Sequence, residues 1–207
     1  MSFHPTMAYG ATFHKSSRRL EDEGPAFVYT PANSARFDAI VLRYPPDRRR
    51  SAVLPALYLA QDQQGYITAN AIRHVAERLG ITRADVEDVV SYYTMFHTRP
   101  VGTYVINVCR TLSCAINGAE RVTEELCGKL GIKPGETDAS GTFTLMEVEC
   151  LGACDRAPAV MVNDAWHECL TPERAAALVD DLRARGEEAL SGCHHVIERT
   201  NAIEREK

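Results

Sequence analysis

Several absences in this sequence each remove a class of function. No apolar run approaches the length needed to cross a bilayer, and no signal-peptide core is visible. The chain is therefore expected to be soluble, or held at a membrane only through partners. It has no glycine-rich dinucleotide fingerprint and no evident flavin site, so it is not expected to bind a dinucleotide by itself. It has no C-x-x-C, the spacing a thioredoxin-type dithiol requires. Excess positive charge is missing where the cysteines lie: residues 1–100 carry 12 Lys+Arg against 10 Asp+Glu, but residues 101–207 carry 11 against 18. That acidic half repels phosphate backbones and argues against nucleic-acid binding. No internal repeat is present.

What is there suits one or two globular domains with real cores: 207 residues, 45% of them hydrophobic. Seven cysteines is an odd count in a chain with no export signal. A reducing compartment is expected, where clustered cysteines bind metal or do redox chemistry more often than they form structural disulfides. The first twenty residues hold Lys15, Arg18 and Arg19 and no acid. A mitochondrial transit peptide would suit that charge, but Pro5 and Gly10 spoil an amphipathic helix, and a disordered terminal extension is the reading adopted.

Residues 1–34 read as an irregular extension, with Gly24-Pro25 and Thr30-Pro31 as breakers. Residues 35–98 read as a bundle of four short amphipathic helices. The first spans Ala35 to Tyr44 with Phe37, Ile40 and Val41 on its stripe. The second is capped by Ser51 and closed by Gly65; the third carries Ala71, Ile72, Val75, Ala76 and Leu79 and stops at Gly80. "TRAD", Thr82 to Asp85, is a capping box for the fourth, which ends near Met95. After Pro100 the period changes. Tyr104 to Val108 is a strand, "GAERVTEELCGKLG" a helix, "GTFTLMEV" and "PAVMVN" two more strands, and "TPERAAALVDDLRARG" a helix capped by Thr171. This β-α-β-β-α order makes residues 99–190 a compact, thioredoxin-like α/β domain, and 191–207 a polar tail. The fold class expected is α+β.

The cysteines fall in two pairs, each just beyond a strand. "CRTLSC" gives Cys109 and Cys114; "CLGAC" gives Cys150 and Cys154, after 35 intervening residues. Ligand-carrying loops gather at that edge of an α/β sheet. Two loops with two thiolates each make a four-sulfur cage, and a 2Fe–2S cluster takes two cysteines per iron. Gly152 and Ala153 keep the second loop small, so backbone N–H groups can approach the sulfurs. Arg110, Thr111 and Ser113 are placed to lie near them. A structural zinc site would also use four thiolates, although its knuckles are usually the tighter C-x2-C. A zinc-stabilised adaptor and a thiol oxidoreductase thus stand as competing classes.

The stretches "YPPDRRRSAVLPALYLAQDQQGYIT", "VVSYYTMFHTRPVG", "NVCRTLSCAINGAE", "KLGIKPGET", "FTLMEVECLGACDRAPAVMVND" and "LTPE" run from about Tyr44 to Leu182. In them the chain resembles the small 2Fe–2S subunit (the E subunit) of bacterial NADH–quinone oxidoreductase, respiratory complex I. The resemblance implies a helical N-terminal domain followed by a thioredoxin-like ferredoxin domain. It maps Cys109, Cys114, Cys150 and Cys154 onto the four cluster ligands. It implies a partner in the same NADH dehydrogenase module, the flavoprotein that carries FMN and the NADH site, with the large iron–sulfur protein of the complex nearby. It further implies a place on the inner, cytoplasmic face of the cell membrane, reached through the complex. The chain would then exchange single electrons with the flavin as part of a proton-translocating NADH dehydrogenase, and would not be catalytic alone. All-cysteine ligation suggests a potential on the order of −400 mV, lowered further by the acidic half, which suits an electron-buffering role. Very similar subunits occur in NAD-dependent formate dehydrogenases and NAD(P)-linked hydrogenases, the alternative parents.

Other residues invite weaker readings. Cys127 and Cys169 read as packing. Cys193-His194-His195 resembles a metal trio, but consecutive side chains diverge and the segment reads as tail. His97 reads as a structural or interface histidine. Tyr92, Tyr93, Met95 and Phe96 read as core, with an intersubunit patch as the other option. Arg48 to Arg50 reads as a solvated loop or a salt-bridged contact.

Overall fold

Thr30 accepts a hydrogen bond from the Asn33 N–H and is followed by Pro31, which together start a helix. The computed structural model describes residues 26–190. They divide between Val101 and Gly102 into two compact units. The expected charge signal of the first twenty residues, and Cys193-His194-His195 with the tail, lie outside the described residues.

In the first unit, helix α1 (Pro31–Val41) begins four residues before the expected Ala35. The Thr-Pro pair read as a breaker is in fact a cap with proline at the first turn, where a missing N–H costs nothing. The segment before it is not idle: Phe27 and Tyr29 are buried, and the Tyr29 hydroxyl donates to the Ala56 carbonyl at 2.6 Å. A 3-10 stretch (Pro46–Ala52) leads into α2 (Val53–Gln64), whose N-cap is Ala52 and not Ser51. The basic run sits in that stretch, with Arg48 paired to Asp47 and Arg50 to Asp85. Helix α3 (Ala69–Leu79) buries all five expected stripe residues. Helix α4 (Arg83–Tyr92) has the expected capping box between Thr82 and Asp85, and buries Val86 and Val90. It stops at Tyr92, short of Met95. The next residues are fixed by Gln61, which donates to the Met95 carbonyl and accepts from the His97 N–H. Phe96 is fully buried, whereas Tyr92 and Met95 are exposed. The sequence patch therefore splits between core and surface.

The second unit is a four-stranded mixed sheet in the order β2-β1-β3-β4, from β1 (Tyr104–Cys109), β2 (Phe143–Val148), β3 (Val160–Val162) and β4 (Ala165–His167). β1 and β2 are parallel, with Cys109 opposite Val148; β3 runs antiparallel to β1, with Val160 opposite Val108. Strand β4 was not expected. It closes a tight hairpin through Asn163-Asp164, with Asn163 at φ 51°. Helices α6 (Ala119–Leu130) and α7 (Pro172–Arg185) share one core with the sheet, including Ile106, Val122, Leu126, Leu145, Val179 and Leu182. A short helix, α5 (Leu112–Ile116), begins within the C-x4-C segment and runs on past Cys114, where none was expected.

Candidate functional site

The strand directions decide where the cysteines meet. β1 and its parallel neighbour β2 end at the same edge of the sheet, and antiparallel β3 begins there. Cys109 is the last residue of β1, and Cys114 lies one turn into α5. Cys150 follows β2 by two residues, and Cys154 opens a short 3-10 turn. The loop pair is held by the Arg110 guanidinium on the Glu149 carboxylate, 2.9 Å. Backbone bonds from Cys109 N–H to the Ala159 carbonyl and from Arg110 N–H to the Val148 carbonyl, both 3.1 Å, fix the junction.

The thiols gather as two interacting pairs. Cys150 and Cys154 have their sulfurs 3.5 Å apart, and Cys109 and Cys114 contact one another through their side chains. The pairs also feel each other: Cys109 acts electrostatically on both Cys150 and Cys154, and Cys154 on Cys114. Among the described residues, no three His, Cys, Asp or Glu side chains are gathered closely enough to hold a single metal ion.

Protons are unevenly held within each pair. Burial works against ionising Cys109, but the Thr111 hydroxyl and N–H, the Leu151 N–H and Cys114 outweigh it and lower its pKa. Burial pushes Cys114 up to about 11. The Gly152 N–H, followed by Cys154 and Thr111, lowers Cys150, and Cys150 in turn raises Cys154. Within each pair one thiol is thus shifted toward ionisation and the other away from it.

Donors aimed at sulfur complete the site. The Gly152 N–H approaches Cys150 Sγ at 3.4 Å, and the Ala159 N–H approaches Cys114 Sγ at 3.5 Å. Thr111 Oγ1 lies 3.2 Å from Cys109 Sγ, and Ser113 reaches Cys154. Gly152 has φ 89°, a conformation that L side chains rarely adopt, so glycine is what lets its N–H turn back on the sulfur. Cys109 and Cys114 are buried, whereas Cys150 and Cys154 are exposed. The donor set suits a 2Fe–2S cluster: four thiols in two pairs, with backbone and hydroxyl donors to spread the negative charge.

The remaining sulfurs stand apart from this network. Cys127 is half-buried against the core, as expected. Cys169 is exposed, not packed: it sits at φ 48° in the turn before α7, where its N–H donates to the Arg156 carbonyl at 2.8 Å. Sequence reasoning placed Thr111 and Ser113 near the sulfurs, where they act on Cys109 and Cys154, placed Arg110 there too, though its guanidinium pairs with Glu149, and missed Ala159. The signal for Ala159 was its place at the start of "PAVMVN", a strand that must reach the same edge.

The thioredoxin-like [2Fe-2S] ferredoxin family model matches residues 37–183. The E subunit of NADH-quinone oxidoreductase from Rickettsia bellii is 41% identical over 158 residues, covering 76% of this chain and 95% of its own. The protein of that name from Mycobacterium bovis is 42% identical over 78% of this chain, and the match covers 65% of its own length. NADH-quinone oxidoreductase subunit 2 of Thermus thermophilus is 43% identical over 69% of this chain and 79% of its own. Among solved structures, an NAD+-reducing [NiFe]-hydrogenase in its H2-reduced state superposes with a TM-score of 0.56 at 22% identity, covering 64% of this chain and 22% of that one. This last likeness is one of fold.

Proposed function

The chain belongs to the thioredoxin-like [2Fe-2S] ferredoxin family, and from that premise we propose that it is the small electron-transfer subunit of an NADH–quinone oxidoreductase. Its cofactor is a 2Fe–2S cluster, and Cys109, Cys114, Cys150 and Cys154 are its ligands in this reading. The pairing of the thiols carries the assignment: two cysteines from each of two loops, brought to one sheet edge, suit two bridged irons.

When bound, such a cluster stores one electron at a time. The chain's own residues do the rest. Cys109 and Cys114 anchor the buried side, and Cys150 and Cys154 face outward, toward the side from which a redox partner can approach. The N–H groups of Gly152, Ala159 and Leu151 stabilise charge on the sulfurs. No helix among the described residues is long and apolar enough to cross a membrane. In this reading the chain meets the membrane through its complex, on the inner face. It receives electrons from the flavoprotein of the NADH dehydrogenase module, which holds FMN and oxidises NADH, with the large iron–sulfur protein beside it. The sequence relatives support that parent over a formate dehydrogenase or hydrogenase, since the hydrogenase likeness is of fold alone.

The test is to isolate the chain with its natural partners and assay the complex. Inhibition of NADH oxidation by quinone-site inhibitors, with a flavoprotein in stoichiometric amount, is the expected result. A complex that reduces NAD+ with formate or hydrogen and ignores quinone would assign the chain to the other parents.

A further inference from the structure

Threonine stands at the N-cap of five described helices, and in four of them it does the usual work. The hydroxyls of Thr30, Thr68, Thr82 and Thr171 accept the N–H three residues on, from Asn33, Ala71, Asp85 and Arg174. Thr111, at the start of α5, makes no capping bond. Its hydroxyl is turned instead to the sulfurs. Oγ1 lies 3.2 Å from Cys109 Sγ, the Thr111 N–H also favours the Cys109 thiolate, and the hydroxyl lowers the pKa of Cys150. The two sulfurs belong to different loops, at the ends of the parallel strands β1 and β2.

A thiolate bound to metal has no proton to give, so between Thr111 and these sulfurs the hydroxyl is the donor. Its one proton goes to the sulfur 3.2 Å away, Cys109 Sγ. We propose that the Thr111 hydroxyl tunes the cluster by donating to Cys109 Sγ, and so raises the reduction potential. The proposal rests on the ligand assignment above. Its physical basis is simple. Reduction adds an electron whose charge spreads onto the sulfurs, and a donated hydrogen bond stabilises the more negative state more. The forfeited helix cap is the structural sign that the hydroxyl is committed elsewhere.

The experiment uses the full chain loaded with iron and sulfide. Iron and acid-labile sulfide are first counted in the unaltered protein; zinc or no iron there refutes the ligand reading, not this inference. Thr111→Val and Thr111→Ser are then titrated potentiometrically, with the paramagnetic signal of the reduced state as readout. Thr111→Val keeps the methyl-bearing shape and loses the donor. At a fixed poise its reduced-to-oxidised ratio should fall about tenfold, or about 59 mV for a one-electron couple. Thr111→Ser keeps the hydroxyl and should titrate with the unaltered protein. An unshifted Thr111→Val, or a Thr111→Ser displaced as far as Thr111→Val, overturns the proposal. Should Thr111→Val assemble no cluster, Thr111→Ser decides: assembly with serine supports the hydroxyl's role, and failure with serine overturns it.

Discussion

The guanidinium of Arg110 lies 2.9 Å from the carboxylate of Glu149, joining the residue after Cys109 to the residue before Cys150. The ion pair spans the two cysteine-bearing loops at the point where they leave adjacent parallel strands. Glu149 is the more exposed partner, so the pair itself is worth about 1 kcal/mol or less. Its larger effect is geometric. Arg110→Ala should leave global stability within about 1 kcal/mol of the unaltered chain but hasten loss of iron to a chelator by several-fold. Charge reversal of both residues, Arg110→Glu with Glu149→Arg, should restore part of the retention. Equal iron-release rates in all three proteins would show that the pair does not hold the loops.

His167, on β4, carries a second prediction. Burial, helped by the nearby Arg174 charge, lowers its pKa from 6.5 to about 4. The folded state therefore resists protonation. Above pH 6.5 the ring is neutral folded or unfolded and costs nothing. As pH falls from there toward 4, the unfolded chain takes up the proton first and stability drops; below 4 the penalty is constant. With the solvent-exposed part of the ring allowed for, the loss is on the order of 2 kcal/mol. Urea unfolding at about pH 7.5 and about pH 5, compared between the unaltered chain and His167→Gln, measures it. The variant should lose less stability on acidification; an identical loss would mean that this ring is not the source.

Gly102 opens the second unit under a steric limit. A Cβ there would meet the carbonyl carbon and oxygen of Thr142 at 2.7 Å. Its N–H also donates to the Thr144 hydroxyl at 2.6 Å. Backbone atoms cannot swing aside as a flexible side chain can. Gly102→Ala should cost on the order of 1–3 kcal/mol, seen as a lower urea midpoint. An unchanged midpoint would show that the chain entering β1 is free to shift.

The six cysteines among the described residues should divide by loop and not by exposure. Cys127→Ala and Cys169→Ser should keep full iron content, although Cys169 is exposed, as Cys150 and Cys154 are. Substitution of Cys109, Cys114, Cys150 or Cys154 by Ala should each lower it. Colour and iron content of the six proteins settle the division, and loss of iron from Cys169→Ser would contradict it.

Local signals were legible where a single side chain or turn made the structure. The Thr82–Asp85 box, the glycine stops at Gly65, Gly80 and Gly131, and the Thr171-Pro172 start are all present as read. Thr30-Pro31 was ambiguous because proline breaks a helix from within but begins one at the first turn. Strand β4 escaped because Ala165–His167 is three residues long and has no β-branched side chain. The Asn163-Asp164 turn, with Asn163 left-handed, was its sign. The cysteine pairs were visible because each follows a strand. The contacts between the loops were not, since the pairing of Arg110 with Glu149 and the donation of the Ala159 N–H to Cys114 depend on how β1 pairs with β2 and β3. No local pattern encodes that pairing.

The most direct measurement counts iron and acid-labile sulfide in the purified chain and records its paramagnetic spectrum after dithionite reduction. Two irons and two sulfides per chain, with a rhombic one-electron signal lost in Cys109→Ala and Cys154→Ala, is the result expected if both loops share one cluster. A colourless protein holding a single zinc, or a full iron signal surviving in either variant, would contradict it.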